Sequence, residues 1–307
     1  MTIRTFIKAL AVAPLLFLAA CSPEPEICDK DQGVILQVLG SGGPIADDAR
    51  ASTGYLVWAD GRSRVLIDAG GGVFLRFGEA GASFEDLDFI GLSHLHTDHS
   101  ADFPALVKSG NFSSRRRGLL VAGPGGEGVF PGLKSWMRTM LHRDGGAYGY
   151  LGSFLTGTDG SPMLTPREVT GEDARLVYTS EDLKVEALRV PHSIVPATAF
   201  RVTMGDEILV FASDQNGNDP AFIEFAAGAS VLVMHMVVPE GIEGVGRRLH
   251  APPSVIGDIA ARAAPGKLVL SHFMARSLRD IEKNVALVAE RYDGEIVLAE
   301  DLACVSP

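Results

Sequence analysis

The sequence is short of three things that often define a chain of 307 residues. Cysteine occurs only at positions 21, 28 and 304, so one intramolecular disulfide is the most it can form. Cations are scarce: 27 Lys and Arg face 38 Asp and Glu, a net charge of −11, and such a surplus of acid repels phosphate backbones. On that ground nucleic acid is an unlikely partner, and no basic arm is evident between residues 123 and 170. Long apolar runs are missing too. The apolar stretch over residues 9–20 is too short to cross a bilayer as a helix, and no strong repeat or low-complexity tract appears.

What is present begins with that stretch. Arg4 and Lys8 precede it and Leu18-Ala19-Ala20-Cys21 ends it, the layout of a secretory signal peptide. The ending looks like a bacterial lipobox, in which Cys21 is lipidated and becomes the new N-terminus; ordinary cleavage nearby and a retained signal anchor are the alternatives. The expected organisation is a signal peptide over residues 1–20, a lipid-anchored linker over 21–32 and one folded domain over 33–304. It would face the periplasm from a membrane of the bacterial envelope. Pro23, Glu24, Pro25 and Glu26 suit a polar tether. The mature chain of 287 residues would keep 25 cations and 38 acids, a charge of −13. Cys28 and Cys304 then remain, at opposite ends of an exported chain, and a disulfide between them is expected.

Turn residues and hydrophobic pattern give an alternating order of strands and helices. Strands are predicted over 33–39, 53–59, 63–68, 89–92, 119–122, 175–179, 183–190, 198–204, 207–212, 231–235, 267–271 and 295–299. Helices are predicted over 72–79, 101–109, 132–141, 220–227, 253–263 and 278–291. Residues 123–170 are rich in Gly and Pro and less regular. The fold class is α/β, layered sheets with helices outside.

The chemistry concentrates in Ser93-His94-Leu95-His96-Thr97-Asp98-His99. Residues two apart in an extended segment point the same way, so His94 and His96 can grip one metal ion. Asp98 and His99 follow where the chain turns toward a helix and can reach a second ion. Nitrogen and carboxylate donors suit zinc, with manganese and iron also compatible.

This motif resembles the signature of the metallo-β-lactamase superfamily, and the resemblance runs from about Val34 to Leu298. It implies an αββα sandwich of two similar halves with a dinuclear site between them. By the same resemblance, His192 is the third histidine of the first metal, Asp214 the carboxylate bridging both, and His272 the last ligand of the second. Each follows an apolar strand. The later region is similar to the branch containing ribonuclease Z and a related arylsulfatase. Leu39-Gly40-Ser41-Gly42-Gly43-Pro44 matches its opening turn, and His250, before Ala251-Pro252-Pro253, matches its catalytic histidine. One departure stands out. The branch usually carries His-Glu where this chain has His235-Met236, which leaves Glu240, Glu243 or some other anchor to hold His250.

The implied mechanism is hydrolysis by metal-activated water, with Asp98 orienting the water, His250 protonating the leaving oxygen and Asp68 supporting the histidine loop. The expected function is a two-zinc hydrolase of small ester substrates, sulfate or phosphate (di)esters first. A ribonuclease Z-like phosphodiesterase and a non-catalytic metal-binding sensor are the alternatives. Arg115-Arg116-Arg117 is expected as a solvated loop. Trp136, Met140, Tyr148 and Tyr150 are expected in the core, or as a mobile cover over the site.

Overall fold

The computed structural model describes residues 28–31 and 33–307. The signal segment, Cys21 and most of the expected tether lie outside the described residues. The strands are β1 (Val34–Gly40), β2 (Gly54–Ala59), β3 (Arg62–Ile67), β4 (Phe89–Gly91), β5 (Leu119–Pro124), β6 (Leu164–Val169), β7 (Arg175–Thr179), β8 (Leu183–His192), β9 (Val195–Met204), β10 (Glu207–Phe211), β11 (Val231–His235), β12 (Lys267–Ser271), β13 (Glu295–Leu298) and β14 (Cys304–Val305). The helices are α1 (Val73–Glu79), α2 (Thr97–Ser100), α3 (Phe103–Ser109), α4 (Leu133–Leu141), α5 (Ser153–Thr156), α6 (Pro220–Ala226), α7 (Gly244–Leu249), α8 (Pro253–Ala263), α9 (Ala275–Leu278) and α10 (Ile281–Ala289).

Two seven-stranded sheets form, in the orders β14-β1-β2-β3-β4-β5-β6 and β13-β12-β11-β10-β9-β8-β7. Each joins an antiparallel part to a parallel part: β3 to β6 run parallel in the first, β10 to β13 in the second. The halves therefore share one plan, as the resemblance implied.

Alternation along the strands explains the layering. Tyr55, Val57, Val65 and Ile67 point into the core shared with the second sheet, where Val185, Phe200, Val202 and Phe211 meet them. Leu56, Trp58 and Leu66, one residue out of phase, point the other way onto Val73, Phe77, Leu106 and Met137 of α1, α3 and α4. Behind the second sheet, Phe222, Ile256, Ile259 and Val288 of α6, α8 and α10 close the fourth layer.

A polar link binds the halves, and a covalent one ties the chain's two ends together within the first half. The Arg64 guanidinium of β3 grips both oxygens of Asp182 in the other half at 2.8 and 3.1 Å, and also bonds Asp88. Cys28 and Cys304 form the expected disulfide, with Cα atoms 5.4 Å apart.

Several local expectations need correction. β6 lies inside the stretch expected to be irregular and completes the first sheet beside β5. The helix predicted over 278–291 is the shorter α10, and a separate short helix, α9, precedes it across a break at Arg279-Asp280. Cys304 does not merely follow the last strand; it belongs to β14, which pairs with β1. Arg115 is buried: its guanidinium donates to the carbonyls of Glu85, Leu87, Arg117 and Gly118, tying a loop that would otherwise hold unpaired oxygens. Trp136 is half-buried against Phe103, whereas Tyr148 and Tyr150 are exposed.

Candidate metal centre

The site collects where strands end. His94 follows β4, Asp214 follows β10, His235 closes β11, His272 follows β12 and His192 closes β8. Parallel strands bring their carboxyl ends together on one edge, so loops far apart in sequence converge. A backbone bond from Thr198 N to Ser93 O, 2.8 Å, fastens the histidine loop to the opposite half.

The loops are tight. Asp68, Ser193, Ser213 and His272 all have positive φ, between 56° and 62°, although none is glycine. Such conformations cost about 1 kcal/mol or more each and persist where surrounding contacts enforce them. Two glycines let the loops approach. A Cβ on Gly70 would sit 2.1 Å from the Asp98 carbonyl oxygen, and one on Gly43 would sit 2.8 Å from the His272 ring.

The seven residues singled out in the sequence come together in two sets. His94, His96 and His192 offer ligand atoms within 4.8 Å of one another, and so do Asp98, His99 and His272. Asp214 stands between the sets, with its Oδ2 4.0 Å from His94 Nε2, 3.7 Å from His192 Nε2 and 3.9 Å from His99 Nε2; its Oδ1 is 3.4 Å from His272 Nε2. Asp98 Oδ2 lies 3.6 Å from His99 Nε2 and 3.3 Å from His272 Nε2.

Partners outside each set aim the rings. Asp68 accepts from His99 Nδ1 at 2.7 Å and from the amide and hydroxyl of Ser93, the supporting role expected of it. His192 Nδ1 donates to the Leu249 carbonyl at 2.9 Å, which turns Nε2 toward the centre.

A fit to cations shows in what is left over. His94 Nε2 and His96 Nδ1 lie 3.0 Å apart, as do His99 Nε2 and His272 Nε2, while His192 Nε2 has no hydrogen-bond partner. Without a cation this crowding falls to protons. Burial opposes the charged form of His99, but Asp68, Asp98 and Asp214 outweigh it and carry the ring up to about 9. Burial also opposes the charged form of Asp98, yet His99 and His272 bring it down to about 2. Burial and neighbouring histidines push His94 well below its usual value. Facing nitrogens and two carboxylates in a buried pocket are donors for borderline cations, and the residues present fit a metal pair.

His250 lies beside this centre, its Nδ1 3.7 Å from Asp214 Oδ2 and otherwise unpartnered. Burial is the first cause that takes the ring down to about 3. Neither candidate carboxylate reaches it. Glu240 accepts from the amide and hydroxyl of Ser254 at the start of α8, and Glu243 only precedes α7.

Three participants escaped the sequence reading or stood at its margin. His235 Nδ1 donates to Asp214 Oδ1 at 2.7 Å, and its Nε2 accepts from the Tyr55 hydroxyl at 3.0 Å. Asp214 is thus held from behind by a buried pair. Arg276 donates to the Val237 carbonyl at 3.1 Å and lies near enough to Asp214 and His250 to act on both electrostatically. The signal for His235 was its place directly before the Met236 departure; Tyr55 read only as a strand residue.

Comparisons with known proteins agree with this geometry. A family model described as a β-lactamase superfamily domain matches residues 63–273. A protein of Mycobacterium marinum named ribonuclease Z is 29% identical over 279 residues, spanning 87% of this chain and 96% of its own. Among solved structures, the metallo-β-lactamase fold protein YhfI of Bacillus subtilis superposes with a TM-score of 0.69 at 20% identity, covering 89% of this chain and 98% of its own. The short form of human tRNase Z gives 0.68 at 19%, with the same coverage.

These relatives overturn the expectation that nucleic acid is an unlikely partner. The physical error lay in using net charge, a sum over the whole surface, for a local question. Screening confines each exposed charge to about 8–10 Å. Asp68, Asp98 and Asp214 count as acids in the total, yet they sit among the facing histidines. Arg247, Arg248 and Arg276 flank His250 and His272.

The matched domain, the two sheets of one plan and the paired ligand sets at their edge lead to one conclusion: the chain belongs to the metallo-β-lactamase superfamily and is a metal-dependent hydrolase.

Proposed function

We propose that the protein is a two-zinc phosphodiesterase of the ribonuclease Z kind that hydrolyses RNA. The observation that carries this reading is the pair of ligand sets around Asp214, with His250 and Arg276 beside it, in a chain whose curated relatives are named ribonuclease Z over most of its length. His94, His96 and His192 would hold one ion and Asp98, His99 and His272 the other, with Asp214 between. Zinc bound there acidifies water toward neutral pH and draws charge from phosphoryl oxygens.

The chain's own groups do the rest. Asp98, whose Oδ2 lies against His99 and His272, would orient the attacking water. His235 and Tyr55 keep Asp214 from turning away. Arg276 faces the charge that gathers on the phosphate during attack. That same charge favours a protonated His250, the group placed to hold a proton for the departing oxygen.

The test is purified protein, analysed for metal, against a panel of a tRNA carrying a 3′ extension, a chromogenic phosphodiester and a chromogenic sulfate ester. RNA cleavage that a chelator abolishes and zinc restores is expected. Turnover of the sulfate ester with RNA untouched would overturn the proposal.

We infer, separately, that Cys21 carries lipid and anchors the chain to a bacterial envelope membrane, from the Arg4/Lys8, apolar run and Leu-Ala-Ala-Cys sequence. The mass of the N-terminal peptide tests this: an unmodified Cys21 would refute it.

A further inference from the structure

Away from the metal centre, the outer layer over the first sheet carries an unusual patch. Phe74 and Leu75 of α1 are 37% and 64% exposed, and Phe112 is 83% exposed. They flank a groove of about 550 Å³ that also borders Gly78, Ala82 and Phe84. Lys108 places its ammonium 5.3 Å from the Phe112 ring and 5.3 Å from the Tyr150 ring, itself 67% exposed. Arg116 is exposed close by in sequence. Of the acids here, Glu79 is paired with Arg76 and Glu85 is bonded by Ser114. Exposed aromatics with cations among them are the side chains that favour the boundary between lipid headgroups and acyl chains.

The position of Cys28 points to what lies against this patch. Cys28 is fixed to Cys304 and packs in the core cluster that contains Phe77, Ala80 and Phe84. Lys30 Nζ donates to the Ala80 carbonyl at 2.6 Å, just past the end of α1. Cys28 and Lys30 therefore lie at the C-terminal end of the helix whose exposed face bears Phe74 and Leu75. Six residues separate Cys21 from Cys28, so Cys21 can lie at most about 25 Å from it.

We propose that the Phe74, Leu75 and Phe112 surface docks on the lipid bilayer that holds Cys21, with Lys108 and Tyr150 at the headgroup level. The inference rests on the lipidated-Cys21 reading for its tether. A free domain on a long tether would tumble; this one is held with a defined face down.

The test uses the full chain in vesicles of phosphatidylethanolamine and phosphatidylglycerol that contain acyl-brominated lipid, which quenches nearby tryptophan. Phe112→Trp and Leu75→Trp report the patch, and Val129→Trp, at a position 89% exposed, is the control. An apolar face sunk into the interface should cost each added tryptophan of the patch about half its emission, with the control unaffected. Equal emission at 112 and 129 in a chain whose Cys21 is shown by mass to be lipidated overturns the docking and leaves the anchor standing. Quenching at 112 with an unmodified Cys21 supports the docking and sinks the anchor. Blue-shifted but unquenched emission from the Phe112→Trp variant means that protein, a second copy or the chain's own first residues, covers the patch, and overturns the proposal.

Discussion

Breaking the Cys28–Cys304 bond should destabilise the fold without touching catalysis. The bridge joins residues 276 apart, and closing so long a loop in the unfolded chain removes entropy equivalent to about 5–6 kcal/mol. Residual structure in the unfolded chain reduces the usable share, so about 3–5 kcal/mol is expected. For a domain of this size, each kcal/mol moves the melting temperature by about 2 °C, which gives a fall of about 6–10 °C. Contacts at the two ends oppose it: Lys30 on Ala80 and Trp58, the two-residue ladder of β14 on β1, and the Asp301 bonds to Ser41, Ala51 and Arg76. Calorimetry of the Cys28→Ser/Cys304→Ser double variant against the oxidised protein measures the shift, with turnover at 25 °C as the control. A shift under about 2 °C would refute the reasoning. It would mean that the two ends fray together as an appendage, outside the cooperative unit.

Other expectations are briefer. His192→Ala should release mainly one metal ion and His272→Ala mainly the other, read by elemental analysis; equal loss of both from each variant contradicts the two ligand sets. His250→Ala should keep its metal and slow turnover by about 10²–10⁴ for a poor leaving group, with a smaller defect for nitrophenol; a loss equal for both, or loss of metal, passes the role to another residue. Arg64 holds the Asp182 carboxyl down to about 2, so this pair's contribution is complete above the unfolded value near 4 and is lost as pH falls through the folded one. Asp182→Asn should therefore lower the melting temperature slightly at pH 7, and the gap to wild type should close by about pH 2; an unchanged gap in acid rejects the link.

The cluster of His94, His96, Asp98 and His99 was legible because its chemistry is local: four donors able to hold a cation fall within six residues after a short apolar strand. His192, Asp214 and His272 needed the family resemblance, since a single histidine after a strand has no signal of its own. The sandwich was legible through period-two alternation in strands such as β2 and β3. β6 was not, because Pro166 and a polar, half-exposed sequence at a sheet edge weaken that pattern. Arg115 misled because charge suggests solvent, while a guanidinium with five donors can serve several buried carbonyls at once. Tyr55 and the four positive-φ positions were invisible, for their roles arise only when distant loops meet.

The chain's last residues reach back to its first turn. Asp301 accepts from the amide and hydroxyl of Ser41, from the amide of Ala51 and from Arg76, while Ser41 and Gly43 in turn exchange backbone bonds with Phe273 beside His272. A ribosome delivers such a chain from its N-terminus onward, so the seven donor residues are all present some thirty residues before the clasp that steadies the His272 loop. Synthesis order and assembly order thus differ. A product truncated before Asp301 would carry all seven donor residues and still lack the bonds that steady the Ser41 turn against the loop bearing His272.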